Sequence, residues 1–275
     1  MNATPSSRDA LWQSRSARRG TWRLAGAREL FERARPALEE AARARSSERG
    51  PRPLGPHAAY FKGSRLCAGP GLRHALRRAL GRAEIPRLQE FANLAWLRAQ
   101  GFLAPRPLLA GVLERGGLPC YQFLFSEFVP DAPDLAVLLP RAAPELRGEL
   151  LDALARDLAG LHALGFVHRD LFPRNLLGCV SNTGSRCAFL DAWRAPPGRS
   201  RRGPEHDLGC LFLEGLLTSA ETARFLDVYA GESARLGRRL PPSWPTRVQR
   251  ARQAVYRRES RRRPGLFPSW GSPRS

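Results

Sequence analysis

Apolar residues recur along this chain in two rhythms. Between residues 144 and 164 they fall at three- and four-residue steps, at Leu146, Leu150, Leu151, Leu154, Leu158 and Leu161, and Gly165 follows. That spacing lays one stripe along a helix, and the glycine ends it. A second stripe over residues 83–100 uses Leu88, Phe91, Leu94, Ala95 and Leu97, with Gly101 as the stop. A third, over residues 25–45, uses Leu30, Phe31, Ala34, Leu38 and Ala42. Pro36 falls inside it and predicts a kink or two shorter helices. Its mixed charge and thin apolar face favour packing on the body over lying on a membrane surface. Residues 205–217 read as a buried helix through Leu208, Leu211, Phe212, Leu213, Leu216 and Leu217, and residues 221–263 as one or two closing helices.

The other rhythm is short and extended. Ala58-Ala59-Tyr60-Phe61-Lys62 reads as a strand. Leu108 to Leu113 and Tyr121 to Phe125 flank Gly116-Gly117 and predict a hairpin. Leu176 to Val180 and Ala188 to Leu190 lie on either side of Ser181-Asn182-Thr183-Gly184-Ser185, a second hairpin turn. The intervening segments are polar. Residues 1–20 are rich in Ser and Arg and read as disordered, and residues 46–57 and 196–204 as loops. Residues 63–81 read as a mobile linker, and the last dozen residues as unstructured.

Composition narrows this picture. At 275 residues and 43% apolar content the chain can bury a sizeable core. No run of 18 apolar residues exists to span a bilayer. The N-terminus has no apolar block behind its charges, which predicts no secretory leader. The five cysteines (Cys67, Cys120, Cys179, Cys187 and Cys210) are odd in number and lack C-x-x-C spacing. That points to reduced thiols in the cytoplasm and away from zinc. A net charge of +20, with eight arginines between Arg247 and Arg263, predicts attraction to something polyanionic. No nucleic-acid motif and no stacking pattern of aromatics accompany the arginines, so nucleic acid is the weaker choice. An anionic membrane face or an acidic glycolipid is the stronger one.

The chemistry concentrates in His168-Arg169-Asp170-Leu171-Phe172-Pro173-Arg174-Asn175, then in Phe189-Leu190-Asp191. Phosphoryl transfer from a metal-bound nucleotide requires a carboxylate to orient the attacking hydroxyl, and a carboxamide with a second carboxylate to hold magnesium. Asp170, Asn175 and Asp191 are those residue types in that order. Lys62 is the single lysine among 45 basic residues and sits on a predicted strand upstream of the motif. A strand lysine that grips nucleotide phosphates pairs with a helix glutamate. Glu90, mid-helix, is the natural partner; Glu84 lies at the helix start, where a carboxylate serves the helix dipole. His162 reads as structural. Asp207 is open between an ordinary helix-start aspartate and a brace for the Asp170 loop.

With Lys62, Glu90, Asp170, Asn175 and Asp191 in this order, residues 50–235 resemble the protein-kinase-like superfamily. The compact size, the absent activation segment and the basic surface are most similar to the bacterial lipopolysaccharide kinases, which phosphorylate inner-core heptose or 3-deoxy-octulosonic acid at the cytoplasmic membrane face. The resemblance implies an α+β, two-lobed kinase-like fold with a small β-rich N-lobe and a mostly helical C-lobe. It divides the chain into a basic extension (residues 1–49), an N-lobe (50–128), a C-lobe (129–263) and a tail (264–275). It implies ATP and Mg2+ as cofactors, Asp170 as catalytic base, and Asn175 and Asp191 as magnesium ligands. Lys62 and Glu90 would hold the ATP phosphates, and Glu127 and Phe128 would offer backbone groups to adenine. The partners implied are an anionic glycolipid or sugar acceptor and an anionic membrane, with a place in the cytoplasm or on the inner membrane's cytoplasmic face.

The chain departs from that pattern in four places. No G-x-G-x-x-G precedes Lys62. Phe172 stands where serine/threonine kinases carry a phosphate-contacting lysine, which leaves Arg174 as the candidate for that charge. Asp191-Ala192-Trp193 replaces Asp-Phe-Gly. Gly203-Pro204-Glu205 is a faint echo of Ala-Pro-Glu, too close to Asp191 for a peptide-docking loop.

Overall fold

The computed structural model describes residues 11–15, 20–44, 47–66, 68–80, 84–181, 184–194, 196–200 and 202–262. Expectations for residues 1–10 and 16–19, for Cys67, for the turn tip at 182–183 and for the 264–275 tail lie outside these. The chain forms two compact units, Met1–Asp131 with Phe189–Pro196, and Ala132–Ala188 with Pro197–Ser275.

The first unit is built on an antiparallel six-stranded sheet. Its strands are β1 (Leu11–Arg15), β2 (Thr21–Gly26), β3 (Glu48–Pro51), β4 (Ala59–Arg65), β5 (Pro107–Arg115) and β6 (Leu118–Glu127), in the order β1-β2-β5-β6-β4-β3. Side chains alternate across it. Trp22, Leu24, Phe61, Tyr121, Phe123 and Phe125 point to one face and bury against Phe31, Ala34, Leu38 and Ala41 of α1 (Arg28–Ala44). The opposite face carries Lys62, paired with Leu124, and packs against α3 (Pro86–Ala99). Gly63 lets β4 lie close: a Cβ there would sit 2.3 Å from the Tyr121 hydroxyl.

Expectations for this unit change in four places, the first being the 46–57 loop, part of which forms β3. Residues 11–15 and 20–44, assigned to an N-terminal extension, supply two strands and the helix over the core. Trp12 donates from Nε1 to the Gly26 carbonyl at 3.0 Å and meets Phe31 edge-on, while Trp22 donates to Glu39. Large aromatics bury enough area to order a segment that reads as Ser/Arg-rich. α1 runs through Pro36 as one helix, with Pro36 on the exposed side, where water can serve the carbonyl its ring leaves without a donor. The expected linker ends β4 and then forms α2 (Ala68–Ala79).

The second unit is mostly helical. A short helix α4 (Leu135–Leu138) precedes α5 (Pro144–Ala163). The hairpin of β7 (Leu176–Ser181) and β8 (Gly184–Phe189) follows, then α6 (Pro204–Leu211), α7 (Ser219–Arg235) and α8 (Trp244–Arg262). α5 packs on α7 and α6 on α8. α6 stops at Leu211, six residues short of the expected Leu217. Gly215 takes a positive φ of 66°, and Phe212 and Leu213 bury without continuing the helix.

Among the described residues no helix is long and apolar enough to cross a membrane. Cys120, Cys179, Cys187 and Cys210 are free thiols, and burial raises the pKa of each.

Candidate active site

The first unit gathers four charged groups. β4 presents Lys62 toward α3, and Lys62 Nζ lies 2.7 Å from Glu90 Oε1 and 2.5 Å from Asp191 Oδ1. Glu90 is fully buried, and an uncompensated carboxylate there would be very costly. Its second oxygen is bonded by Arg87 Nη1, one turn earlier on α3, and the same nitrogen is 3.8 Å from Asp191 Oδ1. Two cations thus share two carboxylates. Burial by itself lowers the Lys62 ammonium's pKa, but Glu90 and then Asp191 outweigh it and hold it above the ordinary lysine value. Glu84 belongs elsewhere: it pairs with Arg23 at 3.1 Å and accepts from the Ile85 N–H at the start of α3.

Asp191 sits on a turn held by α3. Its φ of 53° lies in the left-handed region, which a non-glycine residue occupies only when its surroundings fix it. Here Gln89 donates to Asn93, and Asn93 Nδ2 donates to the Ala192 carbonyl at 2.5 Å. The Phe189 N–H donates to the Leu103 carbonyl at 2.9 Å. Asn93 and Arg87 escaped the sequence reading. Asn93 is three residues after Glu90 and therefore on the same helix face.

The adenine expectation changes at its donors. The Glu127 N–H donates to the Arg106 carbonyl at 2.8 Å and the Phe128 N–H to the Ala58 carbonyl at 2.9 Å. Both groups are taken by the unit's own backbone, because sheet pairing reaches one residue beyond β6.

The second unit carries the Asp170 loop. α5 ends before Gly165, and the chain then crosses the buried carboxylate of Asp207 near the start of α6. Asp207 accepts the His168 N–H through Oδ2 at 2.7 Å and the Arg169 N–H through Oδ1 at 2.6 Å. Arg169 is held at a φ of 66°. His162 Nε2 lies 3.2 Å from Asp207 Oδ2, and its Nδ1 lies 2.9 Å from the Tyr229 hydroxyl. Burial pushes the Asp207 carboxyl up, but hydrogen bonding and charge from His162, then the backbone donors, bring it below the usual aspartate value. The structure therefore gives Asp207 the bracing geometry and His162 a structural one.

Beyond the brace the loop closes on itself. Asn175 Nδ2 donates to the Asp170 carbonyl at 2.7 Å, and the Phe172 N–H donates to the same oxygen at 2.8 Å. The Asn175 amide nitrogen is thus occupied within the loop, and its Oδ1 is the atom suited to a metal. Arg174 stacks over Phe172 at 4.1 Å and pairs with Glu214 at 2.9 Å. Its charge is therefore paired within the second unit. Among the described residues no three His, Cys, Asp or Glu side chains cluster as a metal cage. Asp191 in the first unit and the Asn175 carboxamide oxygen in the second are each a hard donor of the kind magnesium takes alongside nucleotide phosphates.

The family model of the lipopolysaccharide kinase (Kdo/WaaP) family matches residues 63–229, more than half of the sequence. The chain belongs to this family. As a Kdo/WaaP member it carries Lys62 one residue before the matched span and the whole Asp170–Asp191 motif inside it. An 86-residue stretch is 34% identical to the serine/threonine-protein kinase pkn2 of Myxococcus xanthus, covering 31% of this chain and 10% of that protein's length. Among solved structures, WaaP in complex with acyl carrier protein is 21% identical, with a TM-score of 0.52, covering 87% of this chain and 98% of that one. Glucosamine kinase is 15% identical with a TM-score of 0.50, covering 94% and 86%. At such identities the likeness speaks to fold: a kinase-like one, with a β-rich N-terminal sheet and a helical C-terminal part.

Proposed function

We propose that this Kdo/WaaP family member transfers the terminal phosphoryl group of ATP to a sugar hydroxyl of a lipopolysaccharide core or related glycolipid. The observation that carries this reading is the convergence of Lys62, Glu90 and Asp191, residues 28 and 129 positions from Lys62 in sequence. In this reading Lys62, fixed by Glu90, holds nucleotide phosphates. Asp191 and Asn175 Oδ1 hold magnesium, which when bound neutralises charge on the phosphate oxygens. Asp170 orients the acceptor hydroxyl and takes its proton late in transfer. Adenine recognition at Glu127 and Phe128 uses groups other than their two N–H donors. The test is phosphotransfer from ATP to purified lipid A–core acceptor, read by intact mass. A gain of one phosphate on an inner-core sugar supports the reading; transfer only to free sugars or peptides overturns the glycolipid acceptor.

We further propose that α2 brings the enzyme to an anionic membrane surface. Leu72, Leu76 and Leu80 are 49%, 54% and 62% exposed and recur along one helical face. The sequence from Arg65 to Ala83 holds five arginines and no acidic residue. Apolar and basic groups together suit an interfacial helix on acidic lipid. Replacing the three leucines by serine is expected to remove the salt-resistant part of binding to vesicles rich in phosphatidylglycerol. Unchanged salt-resistant binding contradicts an α2 anchor.

A further inference from the structure

The Lys62 cluster contains one cation more than a lysine–glutamate–aspartate arrangement requires. Arg87 reaches both carboxylates that Lys62 reaches, and it does so through Nη1 alone. Nε is buried without a hydrogen-bond partner among the described residues, so at least one of the guanidinium's five donors is unused. The side chain is 21% exposed, and its backbone is fixed: the Arg87 N–H donates to Gln122 Oε1 at 3.2 Å, and Gln122 donates in turn to Ser64 on β4. Arg87 therefore stands at a set place over the lysine strand.

Charge balance shows what such a cation is for. Lys62 and Arg87 offset Glu90 and Asp191 when no ligand is present. Once Asp191 serves a metal, both cations lose one anionic partner, and the anions that arrive with the metal are phosphates. The chain also lacks a glycine-rich sequence before Lys62, and among the described residues the sheet edge beyond β4 is β3. A glycine-rich loop brings its backbone N–H groups close to phosphates, and the G-x-G-x-x-G pattern for such a close approach does not precede Lys62. A forked, permanently charged guanidinium matches phosphate oxygens better than any other side chain.

We propose that Arg87 is a second phosphate-binding residue, acting beside Lys62 in place of a glycine-rich covering loop. This rests on the reading of the Lys62 cluster as the nucleotide site. Its alternative is that Arg87 only holds Glu90 in place for Lys62.

Calorimetric titration of ATP and adenosine, with and without Mg2+, separates these for the wild type, Arg87→Gln, Glu90→Gln and the double variant. Direct contact predicts that Arg87→Gln weakens ATP about tenfold, the size of one charge-assisted hydrogen bond, and leaves adenosine unchanged. It also predicts that the double variant binds ATP more weakly than Glu90→Gln alone, because a direct phosphate contact does not run through Glu90; the two contacting residues need not add in full. Arg87→Lys, which keeps the charge and loses the fork, falls between wild type and Arg87→Gln. ATP affinity in Arg87→Gln equal to wild type overturns the proposal, as does a double variant no weaker than Glu90→Gln. An equal loss for adenosine also overturns it, as general distortion of the site. A wild type that binds neither ligand overturns the nucleotide site itself, an outcome distinct from the other three.

Discussion

The two units hold their functional groups by opposite means. In the first, Lys62, Arg87, Glu90 and Asp191 pair with one another through their side chains, two of each sign. Such a set can exchange partners when an anion and a cation enter, because each charge has somewhere else to go. In the second, the Asp170 loop is fixed through its main chain, by a buried carboxylate that accepts two successive N–H groups. That set has no alternative arrangement, because two orphaned N–H donors and a desolvated aspartate would remain. One cluster is arranged to change on binding and the other to stay, as expected for a ligand grip and for a base that must be preorganised.

Breaking the preorganised half is expected to give the largest effects. Asp170→Ala should lower the phosphotransfer rate by roughly two to four decades, the range for removing a general base. ATP affinity, measured by titration, should be unchanged, because the nucleotide-gripping charges are untouched. Asp207→Ala should cost the second unit about 3 kcal/mol in urea unfolding, as removal of one partner of a buried charged network does. The Asp170 loop should lose hydrogen-exchange protection at His168 and Arg169 in the same variant.

Acid should weaken the second unit through His206. Burial lowers this imidazole to about 4, and neighbouring arginines oppose its protonation. The unfolded chain then takes up a proton near the ordinary value while the folded chain does not. The neutral histidine's contribution is complete above about pH 6.5 and is lost as pH falls toward 4, amounting to on the order of 2 kcal/mol by pH 5. His206→Gln should flatten the stability–pH profile over that window. The smallest effect is expected in the exchangeable half. Lys62→Met leaves buried Glu90 paired with Arg87, so stability should fall by less than in Asp207→Ala while ATP binding is lost. A large drop in melting temperature for that variant would erase the contrast between the two clusters.

The legibility of these parts followed their physics. Lys62 stood out because it is the single lysine in an arginine-rich chain, and the Asp170 loop because its residue types and spacing are dictated by magnesium and phosphate chemistry. Arg87 was hidden by the same composition: among 45 basic residues, one arginine on a helix carries no signal until its neighbours are known. Asn93 and Asp207 depend on backbone partners 99 and 38 to 39 residues away, and no local pattern encodes those. β1 and α2 were missed because polar and basic residues dominate their sequences. β1 is ordered by its pairing with β2 and by Trp12 closing on Phe31. The overlong reading of α6 failed where Leu213, Leu216 and Leu217 continued an apolar pattern past Gly215.

The most direct test of the nucleotide site is thermal unfolding with ATP, without and then with Mg2+, for the wild type and Asp191→Asn. A site in which Asp191 turns from Lys62 to the metal predicts a melting-temperature rise that magnesium enlarges in the wild type and that the variant does not show. A rise of equal size with and without metal, or one that survives in Asp191→Asn, would contradict it.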